Sequence, residues 1–311
     1  MRYTSDLTME EFEEIKDLIP VSKTKPNIIE RISIFNAILY FIKNACSWRD
    51  LSKDFPKWET VSSQYYRWIN DGTFVRISNH LYLKNRAIKG KTPYPHLLII
   101  DSQAVDNTNI VPKEMGGFCH YKNVNGIKKH LMVDVLGNVI KAVCASANIS
   151  DNAGLLLLIK ENVEYFLASP HKMTMLLDNG YKKDYLISEI IKINPKLQEK
   201  IEIQISPKPQ KKPKTPKTKS KDKSKDKSKK YEEIKEENIV DEVKGFVVEP
   251  WRWIVERTNA WLFFSHSLWK NNYKSHTVST INILISNIQR TCKRVFKLSQ
   301  LAQILPQISP E

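Results

Sequence analysis

Residues Leu97 to Gln103 read LLIIDSQ, an unbroken apolar run that stops at Asp101. Four branched apolar residues in a row predict a strand buried on both faces, and a carboxylate at the mouth of such a strand needs a partner or a cation. Asp101 is therefore the first candidate for chemistry. Two later acids stand in comparable settings: Asp178 closes the apolar run MTMLLD, and Glu256 lies in the helical stretch RWIVERTNAWL.

Downstream of this strand the apolar pattern alternates between strand and helix periods. Lys128 to Ala147 predicts two antiparallel strands joined at Leu136-Gly137-Asn138. An amphipathic helix follows with Asp151 at its cap, then a strand from Met173 to Asp178, a helix over Lys183–Ile193 and a strand around Glu202–Ser206. Trp251, Ile254, Val255, Trp261 and Leu262 place Glu256 on an apolar-faced helix, entered through Pro250, and INILISNIQRTCKRVF forms a last one. The expected class is α/β, a mixed sheet flanked by helices in the order of an RNase H-like domain.

Upstream, residues 1–88 read as helical. Thr8 and Glu11 form a capping-box pattern, and Ile32, Phe35, Ile38, Leu39 and Ile42 share one face of a helix starting after Pro26. A short helix, a turn at Pro56 and a helix from about Thr60 to Asn70 have the composition of a helix-turn-helix, with Gln64 and Arg67 as candidate DNA contacts. Trp48, Trp58, Tyr65 and Trp68 fit the core of a small helical unit better than base-stacking platforms. The expected organisation is an all-α domain over 1–88 and a linker over 89–95. A catalytic domain then spans 96–206 and 243–295, interrupted by a lysine-rich disordered insertion at 207–242 and followed by a tail from 296 to 311.

The net charge of +15 points to a polyanionic partner. Two-thirds of it lies between Lys208 and Lys230, where twelve Lys face two Asp. That arm is either a tolerated surface insertion or a source of nonspecific nucleic-acid affinity. Four cysteines without a CxxC pair argue against a zinc ribbon or a disulfide framework, and Cys119-His120 lacks a second ligand pair. No apolar run is long enough to span a membrane and the acidic N-terminus is no signal peptide, so a cytoplasmic protein without a membrane partner is expected.

Two strand-end aspartates and a helical glutamate in one cleft would repel one another without a cation. Hard divalent ions take a few carboxylate oxygens and draw their other ligands from water and phosphate. Two such ions about 3.5–4 Å apart can hold both oxygens of an in-line phosphoryl displacement.

The words LTMEEFEEIKDLIP, NAILYFIKNACSWRDLSKDFPKWETVSSQYYRW, IDSQAV, GIKKHLMVDVLGNV, ISDNAG, LLDNGY and WRWIVERTNAWL occur in this order over nearly the whole chain outside the insertion. In them the sequence resembles bacterial insertion-sequence transposases of the DDE class, in the group that resembles insertion sequence five and joins a helical N-terminal domain to an RNase H-like core. The resemblance implies that Asp101, Asp178 and Glu256 form the acidic triad, holding two Mg²⁺ ions (Mn²⁺ as substitute) with Asp101 bridging them. It implies hydrolysis at terminal inverted repeats in double-stranded DNA and attack of the freed 3′-hydroxyl on target DNA, by a homodimer or larger assembly. It further suggests a terminal-phosphate contact for Arg252, against an ion pair with Glu256 one turn on, and backbone contacts for Lys128 and Lys129. His130 reads as a satisfied structural histidine. The chain departs from relatives that cut through a DNA hairpin, having Glu249 and Phe263 where those carry Tyr and Lys, and the basic exit after WL is here FFSHSLWKNNY. Two other functions fit the same pattern: a repressor-like DNA-binding protein that no longer cuts, and a structure-selective nuclease.

Overall fold

A computed structural model describes residues 3–21, 28–206 and 251–304, with the side chains of 302–304 excluded. The lysine-rich insertion, Glu249, Pro250 and the last residues of the expected tail lie outside the described residues.

The N-terminal region is helical: α1 (Met9–Glu13), α2 (Ile28–Asn44), α3 (Trp58–Asn70) and α4 (Thr73–Ile88). The Thr8–Glu11 capping box forms in both directions, Glu11 N donating to Thr8 Oγ1 at 3.0 Å and Thr8 N to Glu11 Oε2 at 2.9 Å. The expected first helix of the helix-turn-helix is only a 3-10 turn, Trp48–Asp50, before α3. Tyr65 and Trp68 are buried with Phe35 and Phe74, and Trp48 stacks on Phe41 with centroids 3.7 Å apart. These aromatics are core, as their spacing suggests.

The sheet is built from β1 (Leu97–Asp106), β2 (Gly117–Cys119), β3 (Val124–Val133), β4 (Val139–Ser146), β5 (Met173–Leu177) and β6 (Ile201–Ile205). Its order is β2-β3-β1-β5-β6, with β4 also paired to β3. β1 runs antiparallel to β3 and parallel to β5, which is parallel to β6. The remaining helices are α5 (Asp151–Lys160), α6 (Val163–Leu167), α7 (Lys183–Ile193), α8 (Leu197–Lys200), α9 (Arg252–Leu262) and α10 (His276–Ile304). This is the mixed, RNase H-like arrangement the sequence predicts.

Three local expectations are corrected. β1 does not stop at Asp101 but continues to Asp106, because β3 goes on pairing with it through Asp106↔Gly126. β3 begins four residues before Lys128, so Lys128 and Lys129 are mid-strand. Ser150, not Asp151, caps α5, its hydroxyl accepting from Ala153 N. Gly126 permits the close pairing at the end of β1, where a Cβ would lie 2.1 Å from the Val105 carbonyl.

Strand alternation sorts the sheet residues between two layers. Leu98, Ile100, Met132, Met175 and Leu177 pack in one core with Leu155, Leu158, Phe166 and Leu186 of α5, α6 and α7. Ile99, Leu131, Val133 and Leu176 pack on the other side with α9, α10 and the N-terminal helices, in a cluster running from Leu7 to Val295. α10 lies against α4 and β4 and extends past position 296. The buried Tyr65 hydroxyl donates to Asn282 Oδ1 at 2.7 Å, which pins α3 to α10.

Candidate active site

The same alternation decides where Asp101 points. Ile99 belongs to the α9 layer, so Asp101, two residues on, faces α9 as well. In the parallel β1–β5 pair Ile99 lies beside Leu176, and that register carried two residues further sets Asp101 beside Asp178. β5 ends at Leu177 while β1 continues. The two carboxylates therefore meet in the gap beyond the carboxyl end of a parallel strand, the usual place for a site in an open α/β sheet.

α9 supplies the opposite wall. Arg252 Nη2 lies 4.0 Å from Asp101 Oδ1, and its Nη1 lies 3.6 Å from Asp178 Oδ1. Two turns on, Asn259 Nδ2 donates to Asp101 Oδ2 at 2.9 Å. Glu256, one turn after Arg252 and just under one before Asn259, lies on the same helical face and is exposed. One guanidinium thus sits between two aspartates, with a third carboxylate beside it.

Burial raises the Asp101 carboxyl above its ordinary value. Arg252, the Ser102 backbone N–H and Lys122 oppose that rise, and the negative charge of Glu256 adds to it. Tyr181, 7% exposed, has a buried hydroxyl with no hydrogen-bond partner among the described residues. Burial raises it strongly, with Asp151, Asp101 and Asp178 adding and Arg252 opposing, so the hydroxyl stays protonated beside the acids. Lys122 reaches over the site from the loop before β3, donating to the Ser102 carbonyl at 3.2 Å.

On the other layer Ser102 Oγ donates to Asp151 Oδ1 at 2.7 Å, and Lys128 Nζ lies 3.0 Å from the same oxygen. Burial pushes Asp151 up, but these two donors outweigh it and the carboxyl ends below its ordinary range. The lysines expected on the DNA backbone are thus corrected. Lys128 is turned toward Asp151 and the Ile149 carbonyl. Lys129 is 6% exposed, donates to the Leu268 carbonyl at 2.8 Å and is lowered to about 8 by burial. Both side chains end on carbonyls inside the fold, those of Ile149 and Leu268. His130 is buried as expected of a structural histidine but not satisfied, since neither ring nitrogen has a hydrogen-bond partner among the described residues.

The atypical exit from α9 folds back onto the sheet. Asn271 N donates to the Asp106 carbonyl at 2.8 Å and its side chain to Asn107 Oδ1 at 2.8 Å. These bonds tie the exit of α9 to the end of β1.

The structure therefore brings Asp101, Asp178 and Arg252 together with Glu256 alongside. Gln64 and Arg67 stand apart on α3, Gln64 half-buried and Arg67 exposed, with Arg67 Nη1 donating to Gln64 Oε1 at 3.3 Å. Asn259, Tyr181 and Lys122 were not singled out by sequence reasoning. Asn259 had a signal, lying seven residues after Arg252 on the same helical face; Lys122 had none, being placed by a loop.

The chemistry of the acids suits a hard cation, because two carboxylates already converge on one positive group. In this conformation that group is Arg252. Among the described residues no three His, Cys, Asp or Glu side chains are arranged to hold a metal ion.

Comparison with known families gives two matches. The profile described as "Putative transposase of IS4/5 family" matches residues 7–78, and that of the transposase DDE domain matches residues 65–289. No curated protein and no solved structure matches. The chain belongs to the transposase DDE domain family, of the IS4/IS5 kind. Such domains act on DNA as metal-dependent enzymes of transposition, and they generally use divalent ions.

Proposed function

We propose that this chain is a DNA transposase that cleaves strands at the ends of its own element and joins the freed 3′-hydroxyl to target DNA. Asp101, Asp178 and Glu256 serve as its acidic triad. The observation that carries this reading is the convergence of Asp101 and Asp178, from neighbouring parallel strands, on the helix face that bears Arg252 and Glu256.

When bound, two Mg²⁺ or Mn²⁺ ions supply neutralisation of phosphoryl charge and activation of the attacking oxygen. The residues that would hold them are the three triad acids. Asp101 is the most enclosed of them, and an ionised carboxylate in that setting demands a cation. Asn259 holds one Asp101 oxygen and so fixes the plane of the carboxylate for the other. Arg252, displaced from between the aspartates, is positioned to receive a phosphate of the DNA end. Gln64 and Arg67 on α3 serve as DNA contacts of the helical region. Two copies, each engaging one end, complete the assembly.

The test is purified protein with Mg²⁺ and DNA carrying the element's flanking repeats. Expected are 3′-hydroxyl ends and strand-transfer products, both abolished in Asp101→Ala. Intact protein that binds its own ends but never cuts them would defeat the reading. A second reading, a DNA-binding protein that no longer cuts, is favoured by the guanidinium between the acids. It requires end binding that needs no metal and survives Asp178→Ala and Glu256→Ala, with no cleavage by the unaltered chain.

A further inference from the structure

A second flank of α9, away from the acids, carries cations of a different kind. Trp253, Arg257 and Trp261 recur every four residues, so they form one stripe. The Arg257 guanidinium carbon lies 4.4 Å from each of the two ring centroids. From α10, Arg290 stands 3.9 Å and Arg294 5.7 Å from the Trp261 ring. Three guanidiniums thus surround one indole.

None of the three has a carboxylate within ion-pair distance among the described residues. The acid whose charge reaches Arg290 and Arg294, Asp134, is already engaged by Arg86 Nη1 at 2.7 Å, by the Leu136 and Asn138 backbone N–H groups and by Asn138 Nδ2. Arg290 donates to the Gly137 carbonyl and Asn287 Oδ1, and Arg294 to the Leu136 carbonyl. Arg257 Nε is buried with no hydrogen-bond partner among the described residues. Gly137, at φ +76°, packs into the cluster, where a Cβ would stand 3.2 Å from Trp261 and 3.3 Å from Arg257. Burial and mutual repulsion bring Arg290 down to about 9, so the charges disfavour one another. All three arginines and Trp261 remain partly exposed.

We infer that Arg257, Arg290 and Arg294, ordered around Trp261, form a seat for a backbone phosphate of bound DNA. The inference rests on the transposase reading and adds a contact outside the acidic site. Cation–π stacking holds the guanidiniums in place without consuming their N–H donors, which leaves forks for a phosphate oxyanion. A phosphate contact carries no sequence information, so the seat serves end DNA and target DNA alike.

The test is DNA binding by the full chain, followed by fluorescence anisotropy over a range of salt. Arg257→Gln is the main variant, because among the described residues Arg257 makes no hydrogen bond that its loss would break. It should weaken binding several-fold on related and unrelated duplexes and reduce the slope of log K against log salt by about one; Arg294→Gln should do the same, and Arg294→Lys should restore most of the slope. A wild-type slope in Arg257→Gln and Arg294→Gln overturns the seat while leaving the transposase reading intact. Wild-type protein that binds no DNA removes both. Stabilisation by inorganic phosphate that depends on these arginines, with an unchanged DNA slope, assigns the pocket to a free anion and overturns the DNA assignment.

Discussion

Asp101 lies within β1 and Asp134 directly follows β3, its neighbour in the sheet, and the surroundings of these two aspartates differ in one respect. Asp134 is fully buried and accepts four hydrogen bonds, from Arg86 at 2.7 Å, Leu136 N at 3.0 Å, Asn138 N at 2.9 Å and Asn138 Nδ2 at 2.9 Å. Among the described residues Asp101 accepts one bond from a side chain, Asn259, and its nearest guanidinium nitrogen stands at 4.0 Å. The first carboxylate is solved by the fold; the second is left underpaired. That contrast is what the metal role proposed for Asp101 rests on.

The widest separation between the two comes from removing each charge. Asp101→Asn should lower strand cleavage by roughly a thousandfold or more, because an amide cannot replace a charged ligand or hold back phosphoryl charge. Its unfolding midpoint in urea should match the unaltered chain or exceed it, since burial disfavours the ionised form. Asp134→Ala should do the reverse. It strands the Arg86 guanidinium, 4% exposed, inside the protein and should cost about 3–5 kcal/mol of stability. If Asp134→Ala melts normally, or Asp101→Asn unfolds, the distinction between a structural and a functional acid is lost.

A smaller effect tests whether the layer behind Asp101 is structural. His130 pairs in register with Ser102 and faces Asp151 and Gly154 of α5, with Lys128 on its own strand and Lys122 in the loop. Burial lowers its imidazole from 6.5 to about 4, Lys128 and Lys122 adding to that and Asp151 opposing. The unfolded chain therefore binds this proton more readily than the folded one. Stability from the neutral ring is complete above pH 6.5 and is lost as pH falls toward 4, by up to about 3 kcal/mol. Urea unfolding across that window should show the slope, and His130→Gln should flatten it. An equal slope in the variant would mean that other groups carry the acid sensitivity.

Much of this was legible in the sequence, for reasons particular residues make plain. The alternation of Leu98, Ile99 and Ile100 fixes a strand with two covered faces, and the 3.6-residue period fixes the α9 stripe. Asp101, Asp178 and Glu256 could be chosen because each ends or interrupts an apolar pattern. Where β1 and β3 begin and end could not be read, because Ser102–Asp106 holds its strand form by pairing with Gly126–His130, and Val124–Gly126 by pairing with β2, and not through their own preferences. That error carried Lys128 and Lys129 to the surface. The Arg257–Trp261–Arg290–Arg294 cluster was equally hidden, since it joins two helices and a turn far apart in sequence.

The finest test concerns Asn259, which separates orientation from charge at Asp101. Its amide holds one carboxylate oxygen at 2.9 Å from a helix position that is 9% exposed. Removing such a supporting hydrogen bond typically costs 10–100-fold in metal affinity or activity. Asn259→Ala should therefore need about tenfold more Mg²⁺ for half-maximal cleavage, with cleavage at saturating Mg²⁺ recovering most of its rate. Asp101→Asn should not recover at any concentration. A purely structural role for Asn259 predicts a lower melting temperature with an unchanged Mg²⁺ requirement, and that result would leave Arg252 as the only described side chain that positions Asp101.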